Sequence, residues 1–352
     1  MGNLNEGRRI LGPELETGAA AVTADQAEWI GREYYGLSGR AEWLWGEKDS
    51  NYRLHLADGT AYLLKILNPG EDPGVTDMHS QALLHVATVD PGLPLQRIIK
   101  NRDGAADFRF TAQDGGERGV RMVTFVPGVA QRFAPHSPVQ RHRVGGLLGR
   151  MQKALRSFSH EAANHRLTWD MKYAVGMREL MPAFNDPTQR KRLERAIDEF
   201  EEKIVPVIPE LPAQIIHNDF NMENILVHAD RPDDITGIID FGDMTHAPVL
   251  FDVGVAAAYQ IGEAADPIAA ICDFLTGYRS ENRLSEQEIE LLYTAIVMRL
   301  VMRLAIPQWR ARLFPQDAER FLEKSASVWQ QIARLDAIPR DAAYAKLRAS
   351  SR

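Results

Sequence analysis

The sequence has little cysteine and no long hydrophobic run, and both absences narrow the classes of protein that it can encode. Cys272 is the one cysteine among 352 residues, which excludes an intramolecular disulfide and a cysteine-based zinc site. No run of about 18 apolar residues occurs, and the N-terminus lacks an apolar segment of signal-peptide length. The sequence therefore predicts a cytoplasmic protein that is not inserted in a membrane.

An excess of positive charge is also lacking. The chain has 41 lysines and arginines against 48 aspartates and glutamates, for a net charge of −7. This balance argues against a nucleic-acid partner and mildly favours a small cationic substrate, although the negative charge can serve solubility alone. The chain is 45% hydrophobic and 25% charged, as in a soluble globular protein, and its length favours two lobes over one core.

The stretch from residue 215 to residue 243 combines apolar runs with acidic and amide side chains. Asn224–Val227 and Ile235–Ile239 predict two short buried strands, joined as a hairpin by a turn over Ala229–Asp234. Four polar side chains stand just outside the strands: Asp219, Asn224, Asp240 and Asp243. A base near a hydroxyl group, together with oxygen ligands for Mg²⁺, is what phosphoryl transfer requires.

Two motifs in this stretch carry a family resemblance. His217-x-Asp219-x4-Asn224 and Asp240-Phe241-Gly242, whose last and first residues are sixteen positions apart, resemble the catalytic and metal-binding loops of aminoglycoside phosphotransferase/choline kinase-like enzymes. The wording HNDFNMENILV with GIIDFGDM most resembles the hydroxylysine kinase branch. The resemblance implies an α+β, protein-kinase-like bilobal fold, with a small N-terminal antiparallel β-sheet lobe and a larger, mainly helical C-terminal lobe.

The pattern of elements and the resemblance together divide the chain into three segments. Residues 1–22 lack periodicity and predict a flexible arm. Residues 23–126 predict the nucleotide-binding lobe, with a hinge at about 123–128. Residues 129–352 predict the helical lobe, with the catalytic and metal-binding loops and the substrate site.

Local patterns also predict where individual elements begin and end. Three strands are expected in the first lobe, over Arg40–Trp45, Asn51–Leu56 and Ala61–Leu67. In the second lobe, a capping box at Ser285 opens a helix expected to end at Ile306, and the last helix is expected over about Pro315–Arg334.

Lys65 lies inside an apolar strand, where a charged side chain is costly to bury unless it is paired. Alternation along the strand turns it toward the interior. By resemblance it is the third-strand lysine that holds the nucleotide phosphates in kinases; the alternative is an edge-strand lysine whose head reaches water. Its expected partner is a glutamate on the next helix, but His79 stands there, and Asp77 is the nearest substitute.

Two further groups are candidates for nucleotide binding. Ser50 and Asn51 lie in a turn that resembles the Glu-Arg-Asp-x-Asn-Phe loop of the hydroxylysine kinase branch, and they offer hydroxyl, amide and N–H donors to phosphate; the alternative is a plain turn. Thr124, Phe125 and Val126 resemble the hinge, whose backbone groups would bind the nucleobase. Backbone groups carry no side-chain identity, so ATP and GTP are not distinguished.

Four residues are candidates for substrate contact, each with a structural alternative. Asp243 either binds a substrate ammonium group or caps the next segment. Asp170 either contacts substrate or stabilises a helix N-terminus. Arg299 and Arg303, four apart on an apolar helix, either pair with buried acids or present donors to a carboxylate or phosphate.

The resemblance implies a Mg²⁺-dependent kinase that transfers the γ-phosphate of ATP or GTP to a hydroxyl group of a hydroxylysine-like amine or amino acid. Asp219 would be the base, and Asn224 and Asp240 the metal ligands. Alternatives are an aminoglycoside, choline or homoserine-type kinase, or an inactive kinase-fold protein that binds nucleotide. The missing helix glutamate favours the inactive protein, whereas the intact Asp219, Asn224 and Asp240 oppose it. Expected partners are the nucleotide and a small cationic substrate, bound by a monomer or homodimer.

Overall fold

The computed structural model of the chain describes residues 22–46, 49–112 and 115–351. A region rich in strands is followed by a larger region made mostly of helices, and the predicted bilobal α+β fold is confirmed. Most of the predicted arm, residues 1–21, and the middle of the loop before the second strand lie outside the described residues.

The strands are named β1 to β11 in chain order. They run over Gly39–Leu44, Ser50–Leu56, Ala61–Ile66, Ile98–Ile99, Asp107–Thr111, Glu117–Thr124, Val129–Ala130, Ala213–Ile216, Ile225–His228, Arg231–Ile238 and Thr245–Pro248. The first six form one antiparallel sheet in the order β1-β2-β3-β6-β4, with β5 beside β6. The others form two small antiparallel sheets, β10-β9-β7 and β11-β8.

The α-helices are named α1 to α10 in chain order. They run over Ala24–Tyr35, Pro73–Val89, Pro138–Leu155, Pro187–Lys203, Val249–Gln260, Pro267–Glu281, Glu286–Leu313, Ala318–Leu322, Ser325–Asp336 and Arg340–Ser351. Segments of 3₁₀ helix cover Gln131–Phe133, Glu161–Asn164, Met171–Ala183, Val205–Glu210 and Pro315–Asp317. None of the helices in the described ranges is both long and apolar enough to cross a bilayer.

Two hydrophobic cores correspond to the two regions. The smaller core packs α1 against the six-stranded sheet, through residues such as Ile30, Leu54, Leu64 and Met122. The larger core lies among the helices, with α7 at its centre. Because Leu64 faces the smaller core, alternation along β3 turns Lys65 toward the opposite face of the sheet, where the helical region lies.

The start of α1 shows how local sequence sets an element. The side chain of Thr23 accepts a hydrogen bond from the backbone N–H of Gln26, and the Gln26 side chain accepts one from the backbone N–H of Thr23. The helix ends at Gly36, whose φ of 72° is left-handed and therefore suits glycine. The bounds predicted for the first three strands are correct to within one residue.

Two predicted bounds in the central and C-terminal parts are wrong. The turn predicted over Ala229–Asp234 is shorter, because β10 begins at Arg231; irregular register accommodates its proline and acids at an edge of the small sheet. Helix α7 continues past Pro307 to Leu313. Proline removes the hydrogen bond to the carbonyl of Arg303, but buried side chains on both sides, Ile306 and Trp309, hold the helix in place.

The last predicted helix is also wrong. The segment over Pro315–Arg334 is divided into a 3₁₀ turn and the helices α8 and α9, and α10 follows it. The break falls at Glu323 and Lys324, which line a cavity between the two lobes. Lys324 makes an ion pair there with Glu223, a contact that sequence periodicity does not record.

Candidate active site

The loop between β8 and β9 is held in place by hydrogen bonds to the first turn of α5. The buried carboxylate of Asp252 accepts hydrogen bonds from the backbone N–H groups of Asn218, at 2.9 Å, and His217, at 3.4 Å. Asn218 has a φ of 64°, a left-handed conformation that asparagine tolerates better than most residues. Burial raises the pKa of Asp252, and the contacts from His217 and Gln152 oppose that shift. The loop is therefore held by hydrogen bonds to the first turn of a buried helix.

His217 is fully buried and fixes the loop through both ring nitrogens. Its Nε2 lies 3.2 Å from the carbonyl oxygen of Ile239, and its Nδ1 accepts a hydrogen bond from the backbone N–H of Asp219 at 3.3 Å. These contacts require one protonated and one unprotonated nitrogen, which is the neutral ring. Burial lowers the pKa of His217, in agreement with that state.

Asp219 and Asn224 contact each other at the open side of this loop. The amide nitrogen of Asn224 donates to Oδ2 of Asp219 at 2.8 Å and to its backbone carbonyl at 3.0 Å. The amide oxygen of Asn224 then points away from the carboxylate and accepts no hydrogen bond from the residues that the structure describes. One face of the pair thus offers a carboxylate and the other an amide oxygen.

Asp240 is brought next to Asn224 by the small sheet. The backbone N–H of Ile239 donates to the carbonyl of Asn224 at 2.9 Å, so Asp240 follows directly on that contact. Asp240 has a φ of 60°, and its carboxylate lies 3.7 Å from Nζ of Lys65. Within the described ranges no three His, Cys, Asp or Glu side chains form a metal cluster. One carboxylate and one amide oxygen, completed by phosphate and water, make a donor set that suits Mg²⁺.

The carboxylate that pairs with Lys65 comes from the loop before β2 and not from helix α2. Its Nζ lies 3.2 Å from Oδ2 of Asp49, and the two side chains are only 12% and 5% exposed. The other oxygen of Asp49 accepts the backbone N–H of Asn68 at 3.0 Å. Asp77 was the candidate suggested by the sequence, and that choice is wrong. Its carboxylate instead lies 3.0 Å from Nε2 of His160, on the outer side of α2.

His79, which replaces the expected helix glutamate, is buried without reaching the lysine. Its Nδ1 lies 3.8 Å from Oε1 of Glu71, a residue just before α2. The position is therefore used to attach the helix to the preceding loop. Asp49 lies just before β2, so the placement of the Lys65 side chain depends on that loop.

A cavity of about 850 Å³ lies between the two lobes, a size typical of small-molecule sites. Its lining contains most of the predicted site residues: Asn51, Lys65, Phe125, Val126, Asp219, Asn224, Asp240, Asp243, Arg299 and Arg303. Ser50, Thr124 and Asp170 are not part of the lining. The cavity therefore joins the sheet-side candidates to the helical-side ones in a single space.

The three residues predicted to form the hinge differ in whether their hydrogen-bonding groups already have partners. The hydroxyl group of Thr124 accepts the backbone N–H of Arg97, and the backbone N–H of Phe125 donates to Ala61 at 3.3 Å. The backbone N–H of Val126 has no hydrogen-bond partner among the described residues. Val126 therefore has a backbone donor that no described residue uses, and it lines the cavity together with the apolar side chain of Leu63.

The helical side of the cavity is dominated by two arginines on α7. Arg299 is 1% exposed, and its guanidinium donates to Oδ1 of Asp219 at 2.9 Å and to the carbonyl of Trp169 at 3.3 Å. The same group lies 4.8 Å from the ring centroid of Trp169. One turn further on, Arg303 lies 4.0 Å from the ring centroid of Tyr259. The two alternatives were pairing with an acid and presenting donors to a ligand. Arg299 pairs with an acid, whereas Arg303 does not within the described residues.

Asp170 is held as a helix cap. Its carboxylate, fully buried, accepts the backbone N–H of Lys172 at 2.9 Å and lies 3.2 Å from Nζ of that lysine. Burial raises the pKa of Asp170, and Lys172 and Thr245 oppose that shift. The geometry favours the structural interpretation of this residue over contact with substrate. The segment that it opens, Met171–Ala183, is a 3₁₀ helix.

Sequence reasoning missed several residues of the cavity. Asp49 precedes Asn51 by two residues, and Asn51 is opposite Lys65 in the β2–β3 register, so all three share one face. That register was the signal that would have identified Asp49. Tyr259 and Glu223 carried no comparable signal, since their place depends on how α5, α7 and α9 pack together.

Comparison with known proteins shows the family to which the chain is similar. A family model described as "APH: Phosphotransferase enzyme family" matches residues 44–284, which is more than half of the chain. The hydroxylysine kinase of Mus musculus is 25% identical over 310 residues, covering 82% of this chain and 82% of that protein. A homoserine kinase of Methylobacillus flagellatus is 24% identical over 294 residues, covering 82% and 84%.

A solved structure supports the same fold. An amicoumacin kinase in complex with AMP-PNP and Ca²⁺ superposes with a TM-score of 0.66, covering 86% of this chain and 93% of that one. The sequence identity is 15%, so the likeness concerns the fold and not the substrate.

Proposed function

The chain belongs to the phosphotransferase enzyme family whose model matches residues 44–284, and from that premise we propose a specific reaction for it. It is a small-molecule kinase with an alcohol group as acceptor. We propose that it transfers the γ-phosphoryl group of ATP or GTP, with Mg²⁺, to the hydroxyl group of a hydroxylysine-like amine or amino acid. The names of its relatives, which include hydroxylysine kinase and homoserine kinase, support an acceptor of this class.

The observation that carries the proposal is the convergence of four side chains on one cavity. Asp219 and Asn224 are in contact at 2.8 Å, and Lys65 lies 3.7 Å from Asp240. We assign Lys65 to the nucleotide phosphates and the backbone of Val126 to the nucleobase. Asn51 lines the cavity beside Lys65 and is assigned to the phosphates as well. In this arrangement catalysis consists mostly of positioning and charge neutralisation.

Asp219 is assigned as the base. The acceptor oxygen forms a new bond to the γ-phosphorus as the bond between that phosphorus and the bridging oxygen of the nucleoside diphosphate breaks. The hydroxyl proton passes to Oδ1 or Oδ2 of Asp219, which the contacts from Arg299 and Asn224 hold in place. The carboxylate orients the acceptor before transfer and accepts its proton as the new bond forms.

Asn224 and Asp240 are assigned as the protein ligands of Mg²⁺. The donor set fits, because the Asn224 amide oxygen accepts no hydrogen bond within the described part of the chain and Asp240 supplies a carboxylate beside it. When bound, the ion neutralises charge on the phosphates. Asn224 keeps its amide oriented by donating to Asp219, and this contact couples the metal ligand to the base.

The assignment of lobes is part of the same proposal. Residues 23–126 would bind the nucleotide, with the hinge at about 123–128, and residues 129–352 would carry the catalytic loop and the acceptor site. An inactive nucleotide-binding protein was favoured by the absence of a helix carboxylate for Lys65. Asp49 supplies that carboxylate, so this reason for the alternative is removed.

The test is a panel of hydroxylated amines and amino acids, assayed with ATP and with GTP through the release of nucleoside diphosphate. We expect acceptor-dependent release that requires Mg²⁺. Asp219→Asn, which keeps an acceptor oxygen for Arg299, should lower kcat by about a thousandfold or more while nucleotide affinity is retained. Near-normal turnover by this variant would show that the base is assigned wrongly, and a panel without any acceptor-dependent release would contradict the proposed substrate class.

A further inference from the structure

The acceptor side of the cavity is identified by Asp219. On the sheet side of the cavity, Lys65 projects from β3 and lies 3.7 Å from the carboxylate of Asp240, whereas Arg299 contacts Asp219 from α7 on the helical side. An acceptor whose hydroxyl group meets Asp219 must place the rest of its atoms toward α7, because the phosphates occupy the sheet side. The next inward-facing residue on α7 is Arg303, four residues from Arg299 and therefore on the same helix face.

Arg303 differs from Arg299 in what it contacts. Its Nη1 donates to the neutral amide oxygen of Gln331 at 3.0 Å, and its guanidinium lies over the ring of Tyr259. The Gln331 amide is itself oriented by donating to the carbonyl of Gly262 at 3.2 Å. No carboxylate lies within ion-pair distance of Arg303 in the described ranges.

This environment is incomplete for an arginine. The guanidinium stays charged and carries five N–H donors in a planar fork, of which the described contacts use one. Burial lowers the pKa of Arg303, which marks the cost of keeping its charge there. A partly buried cation without an anionic partner is unfavourable, and the fork geometry matches a carboxylate that enters from the cavity.

We propose that Arg303 binds the carboxylate of the acceptor, so that the acceptor is a hydroxylated amino acid rather than a hydroxylated amine or an aminoglycoside. The proposal rests on the function assigned above, because Asp219 defines the acceptor side. Tyr259 holds the guanidinium flat, and Gln331 fixes its orientation, leaving the remaining donors for the ligand. Asp243 lines the same cavity and gives an ammonium group of the same acceptor a counter-charge.

A purely structural role predicts something different. If Arg303 only joined α7 to α9 through Gln331, its replacement would impair every acceptor to the same extent. A carboxylate anchor instead affects only acceptors that carry the carboxylate. The ratio of kcat/KM between matched acceptors, measured within each variant, separates the two roles and is independent of the fraction of protein that folds.

The experiment uses two matched pairs, 5-hydroxylysine against its α-carboxamide and homoserine against 3-amino-1-propanol. The wild-type enzyme should prefer the carboxylate member by about 100-fold or more, because a site built for a polar group rejects an analogue that lacks it. Arg303→Gln should lower kcat/KM for the carboxylate member by about 100-fold, mainly through KM, and change that for its partner by less than about threefold. Arg303→Lys should have a kcat/KM for the carboxylate member between those of the wild-type enzyme and Arg303→Gln.

The control is Arg312→Gln, an exposed arginine on α7 that contacts Asn185 outside the cavity lining, and it should keep the wild-type ratio. An unchanged ratio in Arg303→Gln would overturn the carboxylate assignment, as would a wild-type enzyme that uses both members of each pair equally. In those two outcomes acceptor-dependent turnover persists, so the proposed kinase reaction survives. If the wild-type enzyme phosphorylates no member of the panel, the proposed substrate class fails, and the carboxylate assignment fails with it.

Discussion

Lys65 and Asp49 form an ion pair on the sheet side of the cavity, and Arg299 and Asp219 form another on the helical side. The two pairs divide their roles in opposite ways. On the sheet side the cation is assigned to the ligand and the carboxylate supports it. On the helical side the carboxylate is assigned to the chemistry and the cation supports it. In each pair the reactive member is recognisable from a motif, whereas the supporting member depends on three-dimensional placement.

The supporting members also reach the cavity by different routes. Asp49 is close in sequence to the strand that pairs with β3, so local register brings it to Lys65. Arg299 is 80 residues from Asp219, and the packing of α7 against the loop that carries Asp219 brings them together. We therefore expect loss of Asp49 to affect the nucleotide and loss of Arg299 to affect the chemical step.

The largest effect among the tests of this comparison is expected for Lys65→Met. Methionine has an unbranched side chain of similar size but lacks the positive charge that is proposed to bind the phosphates. The kcat/KM for the nucleotide should therefore fall by about 100- to 1000-fold. Steady-state kinetics with varied nucleotide measure this. Lys153→Met is the control, because Lys153 pairs with Glu281 on the surface and such pairs contribute little. Equal loss in both variants would contradict a specific role for Lys65.

Arg299→Met tests the pair on the helical side. Without the guanidinium, Oδ1 of Asp219 loses its donor from α7, and displacement of the proposed base by about 1 Å can lower kcat by about 100-fold. The nucleotide KM should stay within about twofold, since Arg299 is placed on the acceptor side. Arg299→Lys should recover part of kcat. A variant that raised the nucleotide KM and left kcat unchanged would break the proposed division of roles.

Asp49→Asn tests whether the loop carboxylate replaces the missing helix glutamate. The amide keeps a hydrogen bond to Asn68 but loses the charge beside Lys65, and loss of a charged hydrogen bond corresponds to about a tenfold effect on nucleotide kcat/KM. Asp49→Glu should recover part of it. Asp77→Asn is the matched control, because that carboxylate contacts His160 and not Lys65. A larger effect of Asp77→Asn than of Asp49→Asn would restore the assignment first suggested by the sequence.

The fold was largely predictable because local patterns and the family resemblance agreed. The capping box at Ser285, the alternation in β3 and the short strand β9 each depend on neighbours in sequence, and the structure has them as expected. The errors arose where tertiary packing outweighed local preference. Helix α7 passes Pro307 because the flanking side chains are buried, which no local rule about proline anticipates.

The candidate site was predictable to a smaller extent. Residues fixed by a motif, such as Asp219, Asn224 and Asp240, meet in the cavity. The residues around the acceptor were only ambiguous candidates, since Arg299 and Arg303 have the same pattern in sequence. Whether each arginine meets an acid depends on which loop packs against α7 at its level. Sequence spacing records the helix face but not the element that faces it.

The smallest expected effect concerns His217, which supports the base through the loop on the helical side. Its lowered pKa means that, below about pH 6.5, the unfolded chain binds a proton that the native ring does not. The free energy of unfolding should therefore fall with decreasing pH below about 6.5, by at most about 1.4 kcal/mol per pH unit from this group, until the native pKa is reached. Above that range His217 is neutral in both states and contributes no pH dependence.

His217→Gln isolates this contribution, because glutamine offers one donor and one acceptor but does not titrate. Denaturant unfolding of both proteins between pH 5 and pH 7.5 should give curves that converge as the pH falls, since only the wild-type protein loses the His217 term. Asp170, a buried acid whose pKa is raised by burial and not affected by His217, contributes the opposite slope to both proteins and cancels in the difference. Exposed His142→Gln should run parallel to the wild type. If the curve of His217→Gln also ran parallel to that of the wild type, the assignment of a neutral, loop-supporting His217 would be wrong. The position of Asp219 would then depend on Asp252 and Arg299 and not on His217.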